Sequence, residues 1–559
     1  MPFLAMSGLF AFYRTREHTI LKYSMHPVPV MIPPLFLYAE THFRFFPLFP
    51  SLLFKKQPEV VFDVPCRCDP QEDLPVMLIV NDVRRFPAEV TDVTVAISQK
   101  AKPPAAFSFP SPHLNIVKHP LVSQATVFIF TLAREKLPHG RIFINCKATL
   151  RCRGKTLEVL NDNFFSSSKL PFSCFVSDEG LPAHNSCSYG DLHIHSQFSQ
   201  SHVEFGPPVG VIDLVAETCG LDFIAITDHS YDLACSIENY LEMDKDNSRW
   251  QALISEISTY YKSILILGEE ISSYNSKGKA VHLCGLGLKK FIPGSADGAR
   301  SNALSTLKLE EAIQEIHDQG GLAIAAHPGS KFGYFQRLFL HRGAWLPKDM
   351  AGNLDAVQAV NNGFNHSWFE SKKLWINELL KGRKLPIVAG NDSHGDFNRY
   401  RCIGTPFFSV SENFFRYLSF AKTGIYRKVK SQTDVFSSIK TGETFVTSGP
   451  FICLSTSESI DDNIIGNIEK LKSEDTLTAI IISSYEFGVP EFVRVFFGQY
   501  GSRSERIVFS KSYKATYKII EQISLPSLTG KGYLRAETSC LKEDGTRTFA
   551  ATSPCYIMV

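Results

Sequence analysis

Five short stretches of this chain concentrate histidine and carboxylate side chains. They are Asp191-Leu-His193-Ile-His195, Thr227-Asp228-His229, Gly268-Glu269-Glu270 (with His282 opening a later apolar run), Ala326-His327-Pro328, and Asn391-Asp392-Ser393-His394. In an extended chain, residues two apart project to the same side, so His193 and His195 share one space. Any one stretch alone reads as a hydrogen-bonded core histidine or a turn carboxylate. Together they read differently, because buried charge is costly unless it is paired or coordinated. Imidazoles and carboxylates converging on one pocket are well satisfied by divalent cations, and mixed nitrogen and oxygen donors suit Zn, Mn or Fe. No Ser-His or Cys-His signature for a side-chain nucleophile accompanies them.

The elements that must position these residues are legible around them. Phe223-Ile-Ala-Ile, Ile264-Leu-Ile-Leu, Leu322-Ala-Ile-Ala and Pro386-Ile-Val-Ala each run directly into a motif, and helical patterns occupy 308–319 and 367–380. Strands alternating with helices predict parallel β/α units over 187–448, with functional residues at the carboxyl ends of the strands. Residues 58–186 instead carry β-branched and aromatic runs at 76–80, 93–97, 125–132 and 141–146, the pattern of an antiparallel sandwich. Strand-like runs return in 449–559, at 477–484, 492–497 and 532–537, and predict a second sandwich-like domain.

Composition sets the bounds. The chain has 559 residues, 44% hydrophobic and 20% charged, which is ordinary for globular domains and excludes a disordered chain. With 58 Lys+Arg against 56 Asp+Glu the formal charge is only +2, so no broad field favours nucleic acid or an anionic membrane. The pairs Lys289-Lys290 and Lys372-Lys373 read as solvated faces. Thirteen cysteines without a CxxC pair read as reduced, mostly buried thiols. The apolar, Pro- and Phe-rich segment 1–57 is interrupted by Arg14, Arg16, Glu17 and Lys22, then by prolines at 27, 29, 33 and 34. It falls short of the ~18 apolar residues of a membrane helix, and it lacks the order of a signal peptide. A cytoplasmic location is expected.

In order and spacing, His193-x-His195, Thr227-Asp-His229, the Gly-x-Glu at 268–270, Ala-His327-Pro and Asp392-Ser-His394 resemble the PHP (polymerase and histidinol phosphatase) family. The resemblance covers roughly 187–448. The stretch ending Thr447-Ser-Gly-Pro450, and Tyr533-Leu-Arg-Ala further on, resemble its carbaryl-hydrolase-like subgroup. The resemblance implies an α/β fold: a distorted (β/α)7 barrel at 187–448 flanked by N-terminal and C-terminal β-sandwich domains. It also implies two or three divalent metal ions (Mn, Fe or Zn). By matching positions, His193, His195, Glu270 and Asp392 hold one ion, and Glu270 bridges to a second completed by His282 and His327. A third uses His229 and His394, with His202 as the available further ligand. Gly-x-Glu register selects Glu270 over Glu269.

The implied activity is a phosphoesterase cleaving a small phosphate ester or nucleotide with a metal-bridging hydroxide. His229 or His394 would serve as general acid, and Arg399 and Arg401 would hold the phosphate. The alternatives are a carbamate, amide or carboxylic-ester hydrolase on the same metal centre, or a catalytically degenerate metal-binding scaffold. The expected partner is a small phosphorylated molecule, with no nucleic acid and no membrane. Oligomeric state has no signature in the chain.

Overall fold

The apolar runs beside the histidine motifs become adjacent strands of one large sheet. In spatial order these are Ile387–Gly390, Ala356–Asn361, Leu322–Ala325, Ala280–Leu286, Ile264–Tyr274, Phe223–His229 and Ser188–Ile194. Their Ile-, Val- and Ala-rich sequences suit burial on both faces, and six of the seven are buried at every position. The computed structural model describes residues 57–558 outside 82, 84–85, 100–101, 111–114, 118–125, 164–170, 184, 200–205, 238–242, 260, 295–306, 332–336, 338–340, 395–396, 398–401, 405–408, 412–416, 470–475, 527 and 529. The apolar segment before residue 57, His202, Arg399 and Arg401 therefore lie outside the described residues.

The α/β expectation of a distorted (β/α)7 barrel with separate flanking sandwiches is corrected. Among the described residues strands outnumber helices, and the sheet is a curled, mixed one. Ala280–Leu286 runs antiparallel to both of its neighbours. The cause is local: residues 275–279 form a tight turn with Gly278 at φ +67°, far too short for a helical crossover, so the chain must return as a hairpin. Nor does the sheet end with these strands. Ser188–Ile194 pairs with Lys422–Ile425, then Thr444–Thr447, Arg547–Thr552, Gly532–Leu541, Val489–Gln499 and Arg506–Ser512 continue it. The curl brings the two ends of the site together, with Ile194 bridged to Ser393 and Asp392 N donating to His193 O at 2.8 Å.

Helices cover the sheet where sequence periodicity puts them, Leu309–Asp318 and His366–Leu380 among them. Asn365 caps the latter by accepting from Ser367 N. Two sheets face each other in the N-terminal unit around Val60, Phe62, Val76, Leu78, Val93, Val95, Ile142 and Ile144. The strands Phe451–Ser455, Thr476–Ile482 and Lys518–Ser524 form a small antiparallel sheet whose residues share the core of the large one. Among the described residues, no helix is long and apolar enough to cross a membrane.

Candidate metal centre

Glu270 stands in the middle of the site, fully buried. It lies in register with His229 on one side, while its strand neighbour Ser272 faces His282 on the other, so strand pairing alone brings both imidazoles alongside it. Its Oε1 is 2.5 Å from His282 Nδ1, 2.9 Å from His327 Nε2 and 3.4 Å from His193 Nε2. Its Oε2 is 2.8 Å from His229 Nδ1 and 3.5 Å from His195 Nε2. Asp392 Oδ1 approaches His195 Nε2 at 3.2 Å and His193 Nε2 at 3.6 Å. His394 completes the group, its Nε2 3.4 Å from His229 Nε2. Two of these residues have backbones in the left-handed region, His327 at φ +30° and Asp392 at φ +51°. That conformation costs about 1–3 kcal/mol each and tends to collect at functional sites.

Three overlapping sets of donor atoms lie within 4.8 Å of one another: His193, His195, Glu270 and Asp392; His229, Glu270 and His282; and His195, His229 and His394. The donors fit a cation. His193 Nδ1–H donates to Gln358 Oε1 at 2.8 Å, which leaves the Nε2 lone pair aimed at the two carboxylates. His394 Nδ1–H likewise donates to the Asp392 carbonyl at 3.0 Å and turns Nε2 inward. His193 Nε2 and Glu270 Oε2 are buried and make no hydrogen bond of acceptable geometry. Orphaned acceptors converging in a dry pocket are what a divalent ion relieves.

Without a cation the site's charges lean on one another. Burial pushes Glu270 up, but His282, His193 and His229 outweigh it and hold the carboxyl well below its usual range. Burial pushes His193 down, and Cys284, Glu270 and Asp392 reverse this and raise it well above the usual value. His195 is lowered by burial and by its neighbour His229. Glu269 points away from the cluster, accepting from Ile292 N at 2.7 Å, and burial drives its carboxyl well up. Behind the cluster, burial brings Asp191 to about 6 even though it accepts from His193 N and from Asn391 N and Nδ2.

Of the sequence-derived candidates, His193, His195, His229, Glu270, His282, His327, Asp392 and His394 come together. Among the described residues the third donor set is His195, His229 and His394, and His202 lies outside them. Gln358 and Ser199 were not among the sequence-derived candidates. Arg342 is buried with Nη1 2.5 Å from His282 Nε2. Ser199 Oγ meets His195 Nδ1 at 3.0 Å and accepts from His229 N. Asp228 clamps Ser196, and Asn361 Nδ2 reaches Asp392 Oδ2 at 3.4 Å. Lys372, expected on a solvated face, instead pairs with Glu537 at 3.1 Å.

No family model matches the chain, and no curated protein does. Solved structures align over most of it with little likeness. A β-glucuronidase from Parabacteroides merdae covers 90% of this chain at TM-score 0.17 and 8% identity, with 64% of its own length covered. β-Glucuronidase 3 from Bacteroides uniformis covers 89% at TM-score 0.17 and 7% identity, again with 64% of its own length covered. A cycloisomaltooligosaccharide glucanotransferase from Paenibacillus sp. covers 89% at TM-score 0.14 and 10% identity, with 71% of its own length covered. The chain thus spans less than two thirds of the glucuronidases it aligns with. Likeness this slight bears on neither fold nor function.

Proposed function

We propose that the chain is a metal-dependent hydrolase, specifically a phosphoesterase acting on a small phosphorylated molecule. One observation carries the reading: the buried Glu270 carboxylate has five imidazoles within 3.5 Å, with Asp392 beside them. Such a constellation is a poor way to fill a core, because each buried polar atom must find a partner. The motif resemblance to the PHP family supports phosphorus as the centre attacked. Divalent cations bound here would supply Lewis acidity and a water acidified to near neutrality.

The chain's own residues divide the remaining work. His193, His195, Glu270 and Asp392 would hold one ion, and Glu270 with His229 and His282 another, with His327 at the same carboxylate oxygen as His282. Gln358 keeps the His193 proton on Nδ1 and its lone pair inward. Arg342 is a permanent cation beside the ligands, suited to a phosphoryl oxygen. His394 Nε2 is the atom placed to hold a proton for a leaving oxygen.

The test pairs metal content with substrate choice. Protein purified without chelator should hold roughly two equivalents of Mn, Fe or Zn by elemental analysis. A His193→Ala/His195→Ala variant should lose most of it. The loaded protein should turn over an aryl phosphate faster than the matching aryl acetate or carbamate. Metal well below one equivalent after reconstitution sinks the metal centre. Preference for the uncharged ester keeps the metal and sinks the phosphoesterase.

A further inference from the structure

Away from the metal centre, several parts of the chain meet at a pair of thiols. Cys66 precedes the strand Arg67–Cys68 of the N-terminal unit, and Cys219 ends the helix Val209–Cys219, which connects the His193 strand to the His229 strand. Among the described cysteines, Cys66 is the one that is part-exposed. Cys66 Sγ lies 3.8 Å from Ser419 Oγ and 4.0 Å from Leu418 O. Backbone contacts hold the pair in place: Asp69 N donates to Thr218 O at 2.8 Å, and Cys219 Sγ donates to Arg67 O at 3.6 Å.

A buried lysine, its pKa lowered by burial and raised by Cys66, acts on this pair. Lys422 is buried in its strand, its Nζ 5.7 Å from the Phe487 ring centroid, and no carboxylate among the described residues pairs with it. Glu486, the acid that acts on Lys422, pairs with Arg67 at 3.0 Å. A buried lysine without a carboxylate favours an anion nearby, and Cys66 raises the Lys422 pKa against the effect of burial. The other charged and titratable groups at the junction are Arg67, Asp69, Cys68 and Cys174 from the N-terminal unit, with Glu486 and Lys542 from the C-terminal strands. The Cys219 hydrogen bond, with Lys422 and Ser419, brings Cys66 down to about 7 against burial. Elsewhere burial pushes Cys187 and Cys540 up to about 12.

We propose that Cys66 and Cys219 are a redox-active dithiol, Cys66 attacking and Cys219 resolving, closed by a low-molecular-weight disulfide of the glutathione class. The Cys66 thiolate attacks one sulfur of RSSR, forming the Cys66–SR bond and releasing RS⁻. Cys219 passes its proton to a released thiolate and attacks the Cys66 sulfur, and the second RS⁻ leaves. The two protein thiols lose two electrons and two protons, and RSSR becomes two RSH. The bond would fasten the N-terminal unit to the helix behind the metal-bearing strands, closing a loop of roughly 150 residues.

Peptide mapping of the full-length protein tests this. In the reduced protein, Cys66 should be the fastest cysteine to react with iodoacetamide, with a rate midpoint near neutral pH. Oxidised glutathione should join the Cys66 and Cys219 peptides, and Cys219→Ser should stop at the mixed disulfide. Lys422→Met should slow Cys66 alkylation at pH 7 by about fivefold, the effect of one pKa unit on a thiol poised near 7. The inference is overturned if Cys66 reacts no faster than the other cysteines, or if oxidation yields no Cys66–Cys219 peptide. The wild-type map decides alone should a variant fail to fold.

Discussion

A histidine serves a cation only if its proton sits on the outer nitrogen, and for His193 that depends on Gln358. The amide oxygen accepts from Nδ1 at 2.8 Å, while the amide nitrogen donates to Asn361 Oδ1 at 3.1 Å, which fixes which way the amide faces. Gln358→Leu removes the acceptor and frees the proton to move to Nε2. Metal affinity, read by chelator competition, should weaken about 10–100-fold. Gln358→Glu keeps an acceptor and should retain most of the affinity; equal loss in both variants would mean that Gln358 acts only by packing. Glu270→Gln should do more, because the central carboxylate is common to two of the donor sets. It should abolish stoichiometric binding by elemental analysis. The candidate ligands were legible in the sequence because each stands at the end or beginning of an apolar run. Gln358 and Ser199 were not, because ordinary residue types acquire their role only when separate strands and loops converge. Gln358 is 165 residues from the histidine it orients.

Elements place these side chains, and the tolerances are small. Gly390 ends its strand against His193, where an added Cβ would lie 2.5 Å from His193 Cβ and 2.9 Å from its backbone nitrogen. Gly390→Ala must push the two strands apart, at about 1–3 kcal/mol. Thermal melting should fall even in chelator, and metal affinity should fall with it; an unchanged melting temperature would show that the strands yield freely. A second junction ties the helix His366–Leu380 to the strand Gly532–Leu541 through Lys372 and Glu537, with Arg535 pairing Glu505 and Glu537. Burial pushes Glu537 up, but Arg535 and Lys372 hold it below the usual range. Its folded pKa therefore lies under the unfolded value of ~4.3. The stabilisation is present above that pH and is lost as pH falls through the folded value. In Glu537→Gln that part of the acid-side fall in melting temperature should vanish, and an unaltered pH profile would refute the assignment. Strands and the two long helices could be read from periodicity because burial writes a period into the chain. Strand order could not, since the turn at 275–279 and the pairing of Thr444–Thr447 with Arg547–Thr552 depend on contacts that periodicity does not record.

At the scale of the whole molecule, the units suggested by composition share one interior. Val61, Met77 and Ile79 of the N-terminal strands, Val211 and Val215 of the helix behind the site, and Leu477, Val493 and Ile557 of the C-terminal strands belong to one contiguous core. Alternate residues of those N-terminal strands, Val60, Phe62, Val76 and Leu78, fill the sandwich's own core. The sheet is thus buried on both faces and cannot part from its neighbour without exposing one of them. Polar ties repeat the pattern: Arg67 pairs with Glu486, Tyr426 Oη donates to Ile452 O, and Ile387 N donates to Ser553 Oγ. Large apolar contacts of this kind couple domains, where small polar ones leave them free to move. The described residues should therefore unfold in one calorimetric transition. Metal held by the native state alone, at about 100 times its dissociation constant, adds about 2.7 kcal/mol per site. At the usual unfolding entropy per residue this is a rise of roughly 2 °C per site for a chain of this length. Chelation should lower the whole transition by that amount. A separate transition that ignores the chelator would show instead that the N-terminal or C-terminal strands fold apart from the metal centre.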